Sequence, residues 1–157
     1  MLIRETPVFI DGPVGQLEAL YLDVADARGI VLLCHPNPVQ GGTMTNKVVS
    51  MLQRTARDAG YVTLRFNYRG VGASAGSHDE GRGETDDFLD VVTHTAPEGT
   101  LALAGFSFGS FVASHALAEL QTHRQVEKVA FVGTAAQRFT VAPIASELKP
   151  LTAVILA

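Results

Sequence analysis

The centre of the chain reads Leu101-Ala-Leu-Ala-Gly-Phe-Ser-Phe-Gly-Ser110, where a short apolar run passes directly into Gly-x-Ser-x-Gly and then into a helical pattern. This order is typical of a nucleophile elbow, a sharp strand-to-helix turn that lifts a serine hydroxyl above the end of a sheet. The turn strains the backbone at Ser107, and side chains two residues away on either side would collide, so Gly105 and Gly109 remove them. We predict that Ser107 is a catalytic nucleophile; the alternative is a serine in an ordinary strand-to-helix turn.

Apolar runs alternate with helical patterns along the rest of the chain, and this alternation predicts an α/β fold with a mainly parallel sheet and helices on both faces. The predicted strands are 7–10, 17–24, 30–34, 61–68, 101–106, 129–132 and 151–156. The predicted helices are 46–59, 84–95 and 108–120, with a helical turn at 142–148. We expect Thr45 to cap the first helix and Gly60 to end it. The length of 157 residues favours one domain over 1–157.

The composition limits the kinds of molecule that the protein is expected to bind and the compartment in which it is expected to occur. The net charge of −4 gives no general attraction to nucleic acid or to an anionic membrane. The N-terminus has an early acid and no long apolar region, and no apolar run approaches the roughly 20 residues that cross a bilayer. One cysteine, Cys34, excludes an intrachain disulfide and is predicted to be a buried apolar residue. We therefore expect a cytoplasmic protein that binds neither nucleic acid nor membrane.

The loop after the 30–34 strand reads His35-Pro-Asn-Pro-Val-Gln-Gly-Gly-Thr-Met44. An elbow serine needs a second oxyanion donor from this loop, in addition to the backbone amide of Phe108. Since proline has no backbone N–H, Asn37 is the residue of the Pro-Asn-Pro trio that can supply it. Gly41 and Gly42 would permit close approach of the backbone to a substrate, and His35 would anchor the loop. The alternative is a loop that only turns the chain.

A second glycine-rich loop, Gly70-Val-Gly-Ala-Ser-Ala-Gly76, allows a rival interpretation as a dinucleotide-binding turn. A helix should then begin at once, but the polar segment 77–84 follows instead, and its acids would repel phosphate. We expect no cofactor. His78, Asp79 and Glu80 are expected to form an exposed polar loop, and no metal site is predicted.

Together these segments resemble the α/β-hydrolase superfamily. They are most similar to a subgroup of small predicted serine hydrolases with a loop like His35-Pro-x-Pro-x-x-Gly-Gly-Thr-Met-x-Asn-Lys-Val-Val49, followed by Arg65-Phe-Asn-Tyr-Arg-Gly-Val-Gly-x-Ser74 and the elbow. The resemblance covers almost the whole chain. It implies a serine hydrolase that acts on a small ester or amide through an acyl-enzyme at Ser107, with a small-molecule substrate.

The chain departs from that family after the elbow. The family order is serine, acid and then histidine. The later acids and histidines here are Glu119, Glu127, Glu147, His115 and His123. His115 lies eight residues along the helix, about 12 Å of rise, which is too far for direct proton transfer.

The final run, 151–157, looks like the strand that the family's acid loop should follow. We therefore expect the triad acid and histidine, with the last strands and helix, to be missing. The exposed C-terminal strand could then mediate self-association. The alternatives are a catalytically silent hydrolase-fold binding domain or truncated product, His35 as a surrogate base and, last, an oxidoreductase that binds a cofactor.

Overall fold

The computed structural model describes residues 4–134, 138–143 and, as backbone, 152–155. Within these residues the strands are β1 Thr6–Gly12, β2 Gly15–Leu22, β3 Ile30–Cys34, β4 Val62–Phe66, β5 Leu101–Phe106, β6 Lys128–Val132 and β7 Thr152–Ile155. The helices are α1 Lys47–Asp58, α2 Arg82–Thr95 and α3 Phe108–Leu120, with a 3₁₀ turn at Pro38–Gln40. No helix in the described ranges has the length and apolar character needed to cross a membrane.

The strands form a sheet in the order β1-β2-β4-β3-β5-β6-β7. The β1–β2 and β2–β4 pairs are antiparallel, and the pairs from β4 through β3, β5 and β6 to β7 are parallel. This confirms the predicted α/β fold with a mainly parallel sheet. Because β3, β4 and β5 run in the same direction, their carboxyl ends meet at one edge of the sheet. Asn37, Gly70 and Ser107 come after these three strand ends and lie at that edge, as predicted. We call it the carboxyl edge, and the opposite edge the amino edge.

Helices cover both faces of the sheet, which explains why β3 is buried along its whole length. Alternate side chains of a strand point to opposite faces. Val31 and Leu33 accordingly pack in a cluster with Val49 of α1. Ile30, Leu32 and Cys34 belong to the larger cluster that includes side chains of α2 and α3. The burial of Cys34 was predicted from the same apolar run.

Two helix starts differ from the prediction. The cap of α1 is Asn46 and not Thr45, because the Asn46 side chain accepts hydrogen bonds from the backbone N–H groups of Val48 and Val49. Helix α2 begins at Arg82, two residues before the predicted start at Glu84. The turn predicted at 142–148 lies outside the described residues from 144 onward.

Candidate active site

Ser107 adopts the strained backbone that an elbow requires. Its φ of 55° and ψ of −118° place it among the few non-glycine residues with positive φ, directly before the first residue of α3. A Cβ at Gly105 would lie 2.7 Å from the carbonyl carbon and oxygen of Gly109, so the turn closes only without a side chain there. Ser107 is partly exposed, and its hydroxyl forms no hydrogen bond with the residues that the structure describes.

The first turn of α3 presses against the end of β3. A Cβ at Gly109 would collide with the carbonyl oxygen of Cys34 and would lie 2.8 Å from that of His35. The elbow and the loop after β3 are thus in direct backbone contact. Phe108 is the first residue of α3, so its N–H has no acceptor within the helix.

Asn37 opens the 3₁₀ turn of the loop after β3. Its side-chain oxygen accepts a hydrogen bond from the Val39 N–H at 3.0 Å, and its carbonyl accepts from the N–H groups of Gln40 and Gly42. In the described parts of the chain, the Asn37 N–H itself has no acceptor. Neither the Asn37 N–H nor the Phe108 N–H has an acceptor among the described residues, and their role as oxyanion donors stays a prediction.

The two glycines of this loop have different neighbours. A Cβ at Gly42 would collide with the Pro36 carbonyl, so the close approach here is to the loop's own backbone. Gly41 ends the 3₁₀ turn at a φ of 84° and faces open space. Approach of a substrate to either glycine stays a prediction.

His35 is fully buried, and both of its ring nitrogens contact backbone groups. Nδ1 lies 2.8 Å from the Pro36 carbonyl oxygen, and Nε2 lies 3.3 Å from the Tyr68 N–H. These partners require the neutral ring with its proton on Nδ1, because a carbonyl accepts and an N–H donates. Burial lowers the pKa of His35 to about 4. The ring therefore anchors the loop, and neither nitrogen is free to serve as the surrogate base for Ser107.

The later histidines and acids do not gather at the elbow within the described residues. His115 Nε2 lies 2.7 Å from the Thr140 carbonyl oxygen. Glu127 accepts a hydrogen bond from the Tyr61 hydroxyl before β4 begins, which places it at the amino edge. Glu147 lies outside the described residues. The structure thus places the first turn of α3 against the start of the loop that carries Asn37. It shows no histidine bonded to Ser107 across 4–134 and 138–143.

The loop after β4 is more buried than the exposed segment that was predicted. Glu80 is exposed, but His78 and Asp79 are partly buried, and Glu84 is fully buried. Glu84 accepts hydrogen bonds from the N–H groups of Asp79 and Gly81, and its carboxylate lies 3.0 Å from His78 Nδ1. No group of three or more His, Cys, Asp or Glu side chains that could hold a metal ion occurs in the described ranges. These acids instead fasten the loop to the start of α2.

Two buried side chains near this edge were not among the predicted site residues. Asp87 is fully buried and binds the backbone N–H and guanidinium of Arg69, with 2.8 Å between Oδ1 and Nη2. Burial raises the pKa of Asp87, although the hydrogen bonds from Arg69 oppose the rise. Tyr68 is also fully buried, and burial raises the pKa of its hydroxyl, which therefore stays a donor. The Arg65-Phe-Asn-Tyr-Arg69 motif contains Tyr68 but not Asp87, and the partners of both side chains are distant in sequence.

Comparison with known proteins shows which family has this architecture. A family model described as alpha/beta hydrolase matches residues 70–148. An α/β serine hydrolase without lid from Xanthomonas campestris superimposes with a TM-score of 0.81 and 32% identity, over 99% of this chain and 84% of the other. The chain belongs to the α/β-hydrolase family.

Two further proteins are similar to this chain. An α/β serine hydrolase homologue from Coxiella burnetii gives a TM-score of 0.77 and 34% identity, over 88% of this chain and 67% of that one. An uncharacterized protein of Rickettsia prowazekii is 39% identical over 111 residues, which are 68% of this chain and 47% of that protein. This α/β hydrolase chain thus spans about half the length of the curated relative that it matches.

Proposed function

We propose that this α/β hydrolase cleaves a small ester or amide through an acyl-enzyme at Ser107. The observation that carries the proposal is the strained backbone of Ser107, which lies between a strand that ends at the carboxyl edge and the N-terminus of α3. Its hydroxyl forms no hydrogen bond with the residues that the structure describes. Such strain is typical of functional sites, where the surrounding structure holds a residue in an unfavourable conformation. The solved serine hydrolase with 32% identity supports the same reaction class.

In the proposed reaction, Ser107 Oγ forms a bond to the substrate carbonyl carbon, and the hydroxyl proton passes to a base. The carbonyl oxygen becomes an oxyanion, which the amides of Asn37 and Phe108 stabilise by hydrogen bonds. Collapse of the tetrahedral intermediate breaks the bond to the leaving group, which takes up a proton, and water then releases the acyl group. Removal of one oxyanion donor typically lowers kcat about 10²–10³-fold. We leave the base and its acid unassigned, since His35 and His115 are both bonded to backbone groups.

A fluorophosphonate with a short alkyl chain tests this proposal, because it reacts much faster with an activated serine than with an ordinary one. We expect mass spectrometry of the 157-residue chain to show one adduct, on the peptide that contains Ser107. Ser107→Ala should abolish labelling. Ser77→Ala is the control, because Ser77 is exposed in the loop after β4. A folded chain that stays unlabelled, or that is labelled equally after Ser107→Ala, would contradict the proposal.

The second candidate is a catalytically silent hydrolase-fold domain that binds a ligand. It is favoured by the lack of a histidine bonded to Ser107 in the described part of the chain. An enzyme with an incomplete triad would keep only about 10³–10⁴-fold acceleration over water, so its turnover of activated esters would be slow and turnover alone does not separate the two candidates. Labelling separates the two candidate functions, because a catalytically silent domain should form no adduct at Ser107. Self-association through the C-terminal strand, cytoplasmic location and the lack of nucleic-acid or membrane partners stay predictions.

A further inference from the structure

Tyr68 holds the loop that carries the candidate oxyanion amide of Asn37. Its hydroxyl donates a hydrogen bond to the His35 carbonyl oxygen at 2.9 Å. Its backbone N–H donates to His35 Nε2, and the two rings are 4.1 Å apart between centroids. Tyr68 therefore fixes both the main chain and the ring of His35.

His35 in turn fixes the peptide group that contains the Asn37 N–H. Its Nδ1 donates to the carbonyl oxygen of Pro36, which belongs to the same peptide plane as that N–H. This peptide bond is trans, so its carbonyl and N–H point to opposite sides. The hydrogen bond that holds the carbonyl on the His35 side therefore aims the N–H away from it. The same bond also polarises the peptide and strengthens its N–H as a donor.

Tyr68 also contacts the residue that carries the other amide. Its ring packs edge-on against Phe108, with 5.8 Å between centroids. The Phe108 side chain is buried, so this contact is shielded from solvent. One fully buried side chain thus touches both segments that carry the candidate oxyanion amides, and it can set their relative position.

We propose that Tyr68, acting through His35, is a positioning residue that sets the direction of the Asn37 amide relative to that of Phe108. The inference rests on the proposed function, since these amides matter only if an oxyanion forms at Ser107. Tyr68 touches no reacting atom in this scheme. Its effect should therefore appear in the rate of bond formation and not in the binding of the probe.

The test measures fluorophosphonate labelling as the maximal rate constant, kinact, and the half-saturating concentration, KI. Tyr68→Phe removes only the hydroxyl that binds the His35 carbonyl. We expect kinact to fall about 10-fold, a part of the 10²–10³ that one oxyanion donor supplies, with KI within about twofold of wild type. Tyr61→Phe is the matched control, because Tyr61 is also buried and its hydroxyl binds Glu127 at the other end of β4. It should leave both constants unchanged.

A second pair of variants tests the link through His35. The amide nitrogen of His35→Asn can occupy the place of Nδ1 and donate to the Pro36 carbonyl, whereas His35→Leu cannot. We expect the Asn variant to keep most of kinact and the Leu variant to lose it, when both are compared at temperatures where circular dichroism shows them folded.

The outcomes separate this inference from the proposed function. Labelling of wild type at Ser107 with an unchanged kinact in Tyr68→Phe would overturn the positioning role alone. Equal losses in Tyr68→Phe and Tyr61→Phe would do the same, because they would show a general effect of stability. An unlabelled wild-type chain would overturn the proposed function and the positioning role together.

Discussion

A buried tyrosine lies just beyond each end of β4, and the two hydroxyl groups bind different kinds of partner. At the amino edge, the Tyr61 hydroxyl donates to the carboxylate of Glu127, and Arg28 lies over its ring at 5.1 Å. At the carboxyl edge, the Tyr68 hydroxyl donates to the backbone carbonyl of His35. The first tyrosine joins side chains, which can adopt other rotamers. The second fixes main chain, whose direction determines where the neighbouring amides point.

The backbone donors at the two edges also differ. At the amino edge, the turn before β4 is closed by hydrogen bonds from Arg28 N–H to the Gly60 carbonyl and from Val62 N–H to the Gly29 carbonyl. At the carboxyl edge, Ser107 has a φ of 55°, and Asn37 has an N–H without an acceptor among the described residues. Asp26, in the loop before β3 at the amino edge, also has a positive φ, 52°, so strain alone does not distinguish the two edges. The carboxyl edge combines strain with an open backbone donor, as is expected where the chemistry takes place.

A glycine-to-alanine exchange at each edge gives the largest expected difference. Gly109→Ala drives a Cβ into the carbonyl of Cys34, so backbone must move. We expect a loss of about 3 kcal/mol or more in the free energy of unfolding, a large part of the 5–15 kcal/mol of a whole domain. Gly99→Ala meets no atom within 4 Å and only strains a φ of 89°, so about 1 kcal/mol is expected. Urea unfolding measures both, and equal losses would remove the contrast between the edges.

Acid should weaken the carboxyl edge through His35. Its pKa is lowered from 6.5 to about 4 because burial disfavours the charged ring. The unfolded chain therefore binds more protons between these values, and stability is full above pH 6.5 and falls as the pH drops towards 4. At about 1.4 kcal/mol per pKa unit, the loss approaches roughly 3 kcal/mol. The slope should shrink in His35→Asn, which has no titrating ring. If both proteins lose stability in parallel over this range, His35 is not held neutral by the fold.

Periodicity was enough to predict much of the fold. The bounds of α3 and β5 agree with the prediction because glycines and a strong apolar run define both ends of the elbow. The prediction of Thr45 as the cap of α1 was wrong, because Thr45 and Asn46 are adjacent and both residue types can cap a helix. Only the backbone register shows which side chain reaches the N–H groups of the first turn.

The site was predictable where it is local and not where it is assembled from distant segments. The Gly-x-Ser-x-Gly spacing marks Ser107, and the lack of N–H on two prolines marks Asn37. The contact between Tyr68 and His35 joins two loops that are 33 residues apart, and no periodicity reports such a pairing. The same holds for His78 and Asp79, which were expected to be exposed but are partly buried against Glu84.

The most direct test of the account is the crystal structure of the chain with a phosphonate bound covalently to Ser107. The phosphonyl oxygen stands in for the oxyanion of the tetrahedral intermediate. We predict that this oxygen lies about 3 Å from the backbone nitrogens of both Asn37 and Phe108, the distance of an oxyanion hydrogen bond. An adduct whose oxygen points away from both amides, or an Asn37 nitrogen out of hydrogen-bond reach, would contradict the account.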